Sequence, residues 1–395
     1  MRKATVPFYA LIFLTEVVWM AIVPLAPTFA ERLSLTKVEL GTVLAAAGLA
    51  TLVVSLPIGV LADRVGTRTL TVGSSALVAV SSLGQGLAAN FWTLLLSRAA
   101  FGVALGTIWT AGLAWQSEHG PRGTRPSSLG MSITAAGVGI MLGPAFAGVT
   151  ANAFGVRAPF LALAAASAIV TVALLRGGGA DSPYRHEPVM KTLQAAGRNR
   201  IVVGSAVLMV LLGVTGGGVN LLVPIELRGN GLSPAATGLA FSASSAIFVF
   251  ISALVTRAGA RAVALRVVGI AALCYAGTMT FVVAGTSTAA IVTFLLVRSP
   301  FWAVLSTLSY PLGALGAYRA DLGRGAVMGL LNLAWGAAGA VAPVAAAAIA
   351  QAASEQWAFL ALMICAAATG LWLLVTKQPA PEAAEVEPEP ASLPG

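Results

Sequence analysis

The sequence predicts an all-α integral membrane protein with twelve transmembrane helices, arranged as two pseudo-symmetric six-helix bundles. Of its 395 residues, 58% are hydrophobic and 9% are charged, whereas about 25% of residues are charged in an ordinary soluble domain. Apolar runs of about twenty residues, the length that a helix needs to cross a bilayer, recur along the chain. Landmark residues of the first half also return in the second half, about 200 positions later.

The apolar runs form two sets of six. Helices are expected because lipid offers no partner to open backbone groups, whereas a helix satisfies its own. A β-barrel would need segments of about ten residues with alternating polarity, which the sequence lacks. The first set is expected near residues 7–28, 40–61, 70–89, 91–114, 128–150 and 157–175. The second set is expected near residues 201–223, 235–255, 263–284, 288–311, 326–349 and 357–375.

These runs predict the organisation of the chain. Residues 1–176 form the first six-helix half, and residues 201–376 form the second. The polar stretch 177–200 between them is expected to be a cytoplasmic linker. Residues 377–395 are rich in Pro, Ala and Glu, a composition typical of a disordered tail. Cys274 and Cys365 lie inside apolar runs, so they are expected as core residues and not as a disulfide or metal pair.

The distribution of basic residues predicts the orientation. With the spans above, 17 lysines and arginines lie on the side of the termini and 4 lie on the opposite side. The richer side is the cytoplasm by the positive-inside rule, so both termini are expected there, in a bacterial inner membrane. This bias accounts for the formal net charge of +9 without a nucleic-acid partner.

An internal repeat supports the division into halves. Residues of the loop near 61–68 recur 193 positions later, and other landmarks recur at offsets of 197, 199 and 200. Two related halves packed about an axis along the membrane normal place a cavity at their interface, near the midplane. The clearest pairs are Pro27 with Pro224, Leu35 with Leu232, Thr36 with Ser233, Gly41 with Gly238, Arg98 with Arg298, Gly137 with Gly336, and Pro144 with Pro343.

Three segments carry a family resemblance. The loop between the second and third spans has Gly59, Leu61, Asp63, Arg64, Gly66 and Arg68, with Thr67 where a basic residue is usual. The fourth span has Leu94, Arg98, Gly102 and Gly106, with Phe101 where a glutamine is common. The fifth span has Gly139, Gly143, Pro144 and Gly148, with Ala147 in place of a glycine. Together with the repeat, these segments resemble the major facilitator superfamily of secondary transporters, and the fifth-span segment resembles the motif of its antiporters.

Glu16 is the one carboxylate placed deep within a proposed span. A charged acid at the bilayer centre costs about 2.5–3.5 kcal/mol, and protonation removes this cost. Glu16 is therefore predicted to carry the transported proton. The alternative is a neutral acid, or one member of an ion pair, that holds helices together. Drug and proton antiporters of the family often carry an acid ahead of paired prolines in the first span, and Glu16 with Pro24 and Pro27 is similar.

Arg98 and Arg298 occupy corresponding places in the fourth and tenth spans. Because a guanidinium stays protonated, each is expected to face the cavity, a carboxylate or a backbone carbonyl. The resemblance implies that Arg98 couples protonation to conformation, through electrostatic contact with Glu16. The alternative for Arg98 is hydrogen bonding between helices. For Arg298, substrate contact and a structural role remain equally open.

The remaining predicted site residues fall into three groups. The loop residues Gly59, Asp63, Arg64, Gly66 and Arg68 are expected to form a gate latch, or else a solvated turn. The span-five residues Gly139, Gly143, Pro144 and Gly148 are expected to let helices approach closely and bend, with tight packing alone as the equal alternative. A cavity for apolar or cationic substrates is predicted to be lined by Trp19, Trp109, Asn220, Arg298, Trp302, Asn332 and Trp335, with lipid-facing or core positions as the alternative.

The sequence contains no nucleotide-phosphate loop, metal-ligand cluster or nucleophile with a plausible base. A transporter is therefore predicted and not an enzyme, driven by a proton gradient and without a cofactor. Its expected partners are a small-molecule substrate, protons and membrane lipids, and it is expected to be a monomer. Export of small apolar or amphiphilic compounds in exchange for protons is the first prediction. An importer of a small, anionic metabolite is the alternative, followed by a non-transporting receptor or scaffold.

Overall fold

The computed structural model describes residues 2–113, 115–116, 125–177, 197, 199–320, 322 and 324–376. Most of the predicted linker and all of the predicted tail lie outside these residues. The described part of the chain contains the helices α1 (Arg2–Ala21), α2 (Ala26–Leu33), α3 (Lys37–Val65), α4 (Thr67–Leu87), α5 (Phe91–Thr107), α6 (Arg125–Phe154), α7 (Ala158–Arg176), α8 (Arg200–Gly229), α9 (Pro234–Ala258), α10 (Leu265–Thr278), α11 (Thr280–Ala284), α12 (Thr288–Arg319), α13 (Arg324–Ala352) and α14 (Glu355–Val375).

The described helices confirm the predicted set of spans. Eleven helical segments are long and apolar enough to cross a membrane, and the count is twelve if α1 and α2 form one bent span. These two helices meet at 55°, in a stretch that contains Pro24 and Pro27. Proline lacks the N–H that continues a helix and its ring clashes with the preceding turn, which accounts for the break. The fourth span continues from α5 through a π-helical turn, Ile108–Gly112.

Two details differ from the sequence predictions. Several helices continue past their apolar runs: α8 ends at Gly229 instead of 223, and α12 ends at Arg319 instead of 311. Polar and charged residues at a membrane surface can continue a helix, and hydropathy alone does not detect this extension. Cys274 and Cys365 were expected in the core but are exposed on helices, as free thiols. That expectation was wrong because an apolar residue on a membrane helix can face lipid as readily as the core.

Equivalent helices of the two halves pack in equivalent pairs, which confirms two pseudo-symmetric six-helix bundles. Helix α1 packs on α6 as α8 packs on α13, α3 packs on α5 as α9 packs on α12, and α4 packs on α7 as α10 packs on α14. The turns repeat as well. Ser34 and Gly231 follow the first span of each bundle with φ of 54° and 84°, and Gly66 and Gly259 follow the second span with φ of 93° and 65°.

The interface between the bundles is formed by α6 against α9 and by α13 against α3. The backbones approach closely at two equivalent places. A Cβ atom at Gly238 would lie 2.2 Å from the Pro144 carbonyl oxygen, and one at Gly41 would lie 2.6 Å from the Pro343 carbonyl oxygen. All four residues are repeat landmarks, so the internal repeat marks the contact between the bundles.

Polar contacts join the bundles toward one end of the molecule. We call this the far end; it holds the turn between α2 and α3 and lies opposite the starts of α1 and α8. Arg228 forms an ion pair with Glu31 at 2.7 Å, and Lys37 forms one with Glu355. Side-chain hydrogen bonds between the bundles extend through the far half, from Lys37 to the Ala145 amide, which donates to the Ser242 hydroxyl at 3.0 Å. The far end is therefore closed.

Candidate functional site

Glu16 lies within α1 and is 7% exposed, the one buried carboxylate among the described residues. The Trp109 indole Nε1 donates a hydrogen bond to its Oε1 at 3.0 Å. Trp109 lies in the π-helical turn of the fourth span, and such turns are frequent at functional sites. The structure therefore brings together two of the predicted site residues, and no lysine or arginine in the described part of the chain forms an ion pair with Glu16.

Arg98 lies within α5 and is 2% exposed. Its guanidinium carbon is 5.5 Å from the ring centre of Trp19 and 5.3 Å from that of Phe101. Nε and Nη1 of Arg98 are buried and have no hydrogen-bond partner. The ring faces stabilise the cation, and the structure does not show the expected contact with Glu16. The carboxylate interacts with an indole N–H instead.

The span-five motif contacts two different neighbours of α6. On one side a Cβ atom at Gly139 would lie 2.9 Å from the Glu16 Cβ of α1. On the other side a Cβ atom at Gly148 would lie 2.2 Å from the Pro234 carbonyl oxygen of α9, in the second bundle. Helix α6 therefore touches both the helix that bears Glu16 and the opposite bundle. The four motif residues divide into Gly139 with Gly143 on the α1 side, and Pro144 with Gly148 on the α9 side.

Two of the predicted aromatic residues meet across the bundle interface, and the other two pack within their own bundles. The rings of Trp19 and Trp335 are 6.4 Å apart across the two bundles. Trp302 packs on Tyr275 at 5.7 Å, and all four tryptophans predicted for the cavity are half-buried. Asn220 is also half-buried. Asn332 is exposed and accepts a hydrogen bond from the Tyr310 hydroxyl, so its amide oxygen is engaged within the second bundle.

Arg298 is 8% exposed within α12. Its guanidinium carbon lies 5.7 Å from the ring centres of both Phe294 and Trp302. The fully buried Tyr275 of α10 lies beside it. Tyr275 is not among the residues predicted from the sequence. The signal was a phenol in an otherwise apolar span, since a buried tyrosine hydroxyl usually requires a polar partner.

The turn between α3 and α4 is built around Gly66, whose φ of 93° and ψ of 143° are suited to glycine. Arg68 Nη2 donates to the Leu175 carbonyl at 3.2 Å, a bond that ties α4 to α7 within the first bundle. Arg64 is exposed. Nothing is described of Gly59 and Asp63 beyond their place in helix α3, so the predicted latch at this turn stays a prediction.

The fold and these sites define the class of protein as a multi-pass membrane transporter. The sequence profile of the Major Facilitator Superfamily matches residues 8–323, and the chain belongs to this superfamily. It is therefore a transporter and not an enzyme. Transporters of this superfamily generally need no cofactor, and the described residues contain no cluster of His, Cys, Asp and Glu side chains that could hold a metal ion.

Two kinds of relative sharpen this assignment. Multidrug resistance protein MdtG of Citrobacter koseri is 31% identical over 153 residues, which cover 38% of this chain and 37% of that protein. Quinolone resistance protein NorA of Staphylococcus aureus is 27% identical over 152 residues, which cover 38% of this chain and 39% of that protein. The alignments thus span less than two-fifths of the length of these curated relatives.

Solved structures match over nearly the whole chain. A bacterial homologue of the human lysosomal transporter Spinster, inward-facing and occupied, superposes with a TM-score of 0.79 at 14% identity, covering 94% of this chain and 96% of that one. A POT family transporter in complex with 5-aminolevulinic acid superposes with a TM-score of 0.75 at 14% identity, covering 95% and 96%. At these identities the similarity shows the fold alone, which confirms the predicted architecture.

Proposed function

We propose that this chain exports small apolar or amphiphilic compounds in exchange for protons, by alternating access in the bacterial inner membrane. The observation that carries the proposal is the Glu16 carboxyl group, which is buried in the first span and has the Trp109 indole N–H as its hydrogen-bond donor. The names of the relatives, which refer to multidrug and quinolone resistance, support export.

The chemistry of a buried acid supplies the coupling. The neutral form of Glu16 is compatible with a low-dielectric interior, whereas the ionised form requires hydrogen-bond donors or water. Gain and loss of a proton therefore favour different surroundings for α1. Because α6 contacts α1 beside Glu16 and contacts α9 at Gly148, a shift of α1 is transmitted to the second bundle. One charge moved through 100 mV supplies about 2.3 kcal/mol, roughly a fiftyfold concentration gradient.

The closed far end agrees with one state of the proposed cycle. In the proposed orientation both termini lie in the cytoplasm, so the far end faces outward. The ion pairs Arg228–Glu31 and Lys37–Glu355 then close the outer side. The substrate would enter from the cytoplasm in this state and leave after the far end opens, and Glu16 would take up its proton from the outside.

Everted membrane vesicles test the proposal. Respiration acidifies the inside of the vesicles and quenches the fluorescence of an acridine dye. The quinolone norfloxacin is then added, and the release of protons is measured as the recovery of that fluorescence. Norfloxacin should release protons through the wild-type protein, and Glu16→Gln should abolish this release at equal expression. Glu39→Gln is the matched control. It makes the same substitution in the capping box of α3, where glutamine also serves, and it should behave as wild type.

A second candidate is an importer of a small anionic metabolite. The unpartnered guanidinium nitrogens of Arg98 and Arg298 favour it, because buried cations attract anions. Accumulation of the transported compound in right-side-out vesicles, and not in everted ones, would support import and contradict the proposed export. Proton release that survives Glu16→Gln would contradict the role of Glu16.

A further inference from the structure

The second bundle contains a buried positive charge to which the described residues supply no counter-charge. Arg298 is 8% exposed, its Nε is fully buried without a hydrogen-bond partner, and the guanidinium forms no hydrogen bond to a described residue. The two ion pairs of the described residues lie at the far end and involve other arginine and lysine side chains. A guanidinium stays protonated in proteins. A charge in such surroundings is stabilised when an anion pairs with it.

A second unsatisfied donor lies beside this charge. The Tyr275 side chain is fully buried, and its hydroxyl has no hydrogen-bond partner. The hydroxyl has two polar neighbours, the Arg298 guanidinium and the Thr215 hydroxyl, and it has hydrogen-bond geometry with neither of them. A guanidinium and a phenol both donate hydrogen bonds. Two donors at one buried place suit an acceptor with several lone pairs, such as a carboxylate.

Aromatic rings surround the two donors. Trp302 lies over Arg298 at 5.7 Å and packs on Tyr275 at the same distance. A Cβ atom at Gly216 of α8 would lie 3.3 Å from the Trp302 ring, so the absence of a side chain at Gly216 lets the indole pack against α8. Trp302 is half-buried, which makes it the part of the cluster that an arriving molecule meets first. The surroundings of the charge thus suit an apolar, flat molecular body.

We propose that Arg298 and Tyr275 form a subsite for the anionic group of an amphipathic organic anion, such as an aromatic carboxylate, whose apolar body packs on Trp302. The family resemblance extends to Arg98 but not to Arg298, so this subsite belongs to the second bundle of this chain. The inference rests on the proposed transport function and narrows its substrate class from apolar compounds in general to those that carry a negative charge.

Binding of three matched compounds tests the subsite without transport. Naphthalene-2-carboxylate, its methyl ester and the corresponding naphthyl trimethylammonium cation share one ring system and differ in charge. Their affinities are measured by isothermal titration calorimetry on the purified full-length protein in lipid nanodiscs. The wild type should prefer the carboxylate over the ester by about tenfold to a hundredfold, the range that a charge-assisted hydrogen bond supplies. The cation should bind most weakly.

Variants assign the preference to the two residues. Arg298→Gln should bring the carboxylate down to the affinity of the ester, while the ester itself is unaffected. Tyr275→Phe, which removes one hydroxyl, should reduce carboxylate binding by about fivefold to tenfold. Arg298→Lys keeps the charge but loses the planar fork, and should retain part of the preference.

Equal wild-type affinity for carboxylate and ester would overturn the inference without any variant, as would a preference that survives Arg298→Gln. The result is separable from the proposed function. If the preference is absent while norfloxacin still releases protons through Glu16, the subsite alone is wrong. If the preference follows Arg298 while Glu16→Gln still releases protons, the coupling alone is wrong.

Discussion

The two bundles keep the same stacking of an arginine on an indole but take the indole from different helices. Trp19 of the first span covers Arg98 at 5.5 Å, and Trp302 of the tenth span covers Arg298 at 5.7 Å. The repeat offsets pair Trp19 with Gly216 and Gly102 with Trp302, so the tryptophan and the glycine have exchanged places. The pseudo-symmetry has therefore preserved a contact and not the residue that makes it.

The bundles also differ in where they carry an acid. At the offset of 197, Glu16 corresponds to Gly213, and at the offset of 199, Gly139 corresponds to Ala338. A Cβ atom at Gly139 would lie 2.9 Å from the Glu16 Cβ, and one at Gly213 would lie 2.7 Å from the Ala338 Cβ. At this helix contact in each bundle, one residue of the facing pair carries a Cβ atom and the other is a glycine. The proposed proton site therefore belongs to the first bundle, and the proposed anion subsite belongs to the second.

The largest effect that tests this comparison should come from filling the space beside Glu16. Gly139→Ala puts a Cβ atom 2.6 Å from the Phe13 carbonyl oxygen, which can yield only if α1 and α6 separate. Overpacking of this kind costs about 1–3 kcal/mol. We expect a lower thermal unfolding midpoint in detergent, measured by fluorescence-detected size-exclusion chromatography, together with loss of proton exchange. Gly213→Ala should cost a similar amount because it recreates the clash with Ala338.

Gly137→Ala is the matched control for this prediction. It is the same substitution two residues away on α6, at a position where a Cβ atom would meet nothing within 4 Å. It should leave the unfolding midpoint unchanged or raise it, since alanine favours a helix over glycine by about 1 kcal/mol. Equal behaviour of Gly137→Ala and Gly139→Ala would show that the α1–α6 contact is not tight.

The architecture could be predicted because apolar runs and repeated landmarks can be recognised in the sequence without knowing which residues are in contact. Twenty apolar residues must cross the bilayer as a helix whatever surrounds them. The landmark pair Thr36 and Ser233 likewise proved to be equivalent helix caps, because each side chain accepts a hydrogen bond from its own chain three residues on. Glu16 could be predicted as a site residue because an acid in an apolar run is unusual, whichever face of the helix carries it.

The partners within the site could not be predicted in the same way. Whether Glu16 meets Arg98 or Trp109 depends on the rotation of two helices about their axes, and the π-helical turn at Ile108–Gly112 changes that rotation. Tyr275 was missed for a related reason. Its neighbour Arg298 lies 23 positions away on another helix, so nothing in the local pattern links them.

A smaller effect is expected from removing the hydrogen bond that Trp109 donates to Glu16. Trp109→Phe removes the N–H donor to Glu16 and keeps an aromatic ring. The equivalent position of the second bundle is Ser309, whose hydroxyl donates to the Ser306 carbonyl of its own helix. Because a hydrogen bond to a charged group is worth about 1.5–3 kcal/mol, the ionised carboxylate becomes harder to form, and proton release should fall by about tenfold or more at fixed pH.

The control for this change is Trp92→Phe on α5, a tryptophan that is 65% exposed. The Trp92→Phe variant should release protons as the wild type does in the same vesicle measurement. Wild-type release through Trp109→Phe would mean that the hydrogen bond to Glu16 orients the carboxyl group without affecting its ionisation.

The smallest effect should come from breaking the ion pair on the pseudo-twofold axis. Glu31 and Arg228 are equivalent positions, 197 residues apart, that carry opposite charges and meet at 2.7 Å. Their side chains are 52% and 40% exposed, and an exposed pair contributes less than about 1 kcal/mol. Glu31→Gln should therefore shift the population toward an open far end by no more than about fivefold.

Distances between spin labels would measure this shift. Labels at Phe154→Cys and Trp357→Cys, exposed positions of the two bundles, would report opening of the far end after Cys274 and Cys365 are replaced by alanine. Because each single change removes the same interaction, Glu31→Gln, Arg228→Gln and the double variant should give one common shift, and high salt should reproduce it in the wild type. Additive shifts would mean that each charge acts on separate partners, and that Lys37 with Glu355 holds the far end closed without help from the axis.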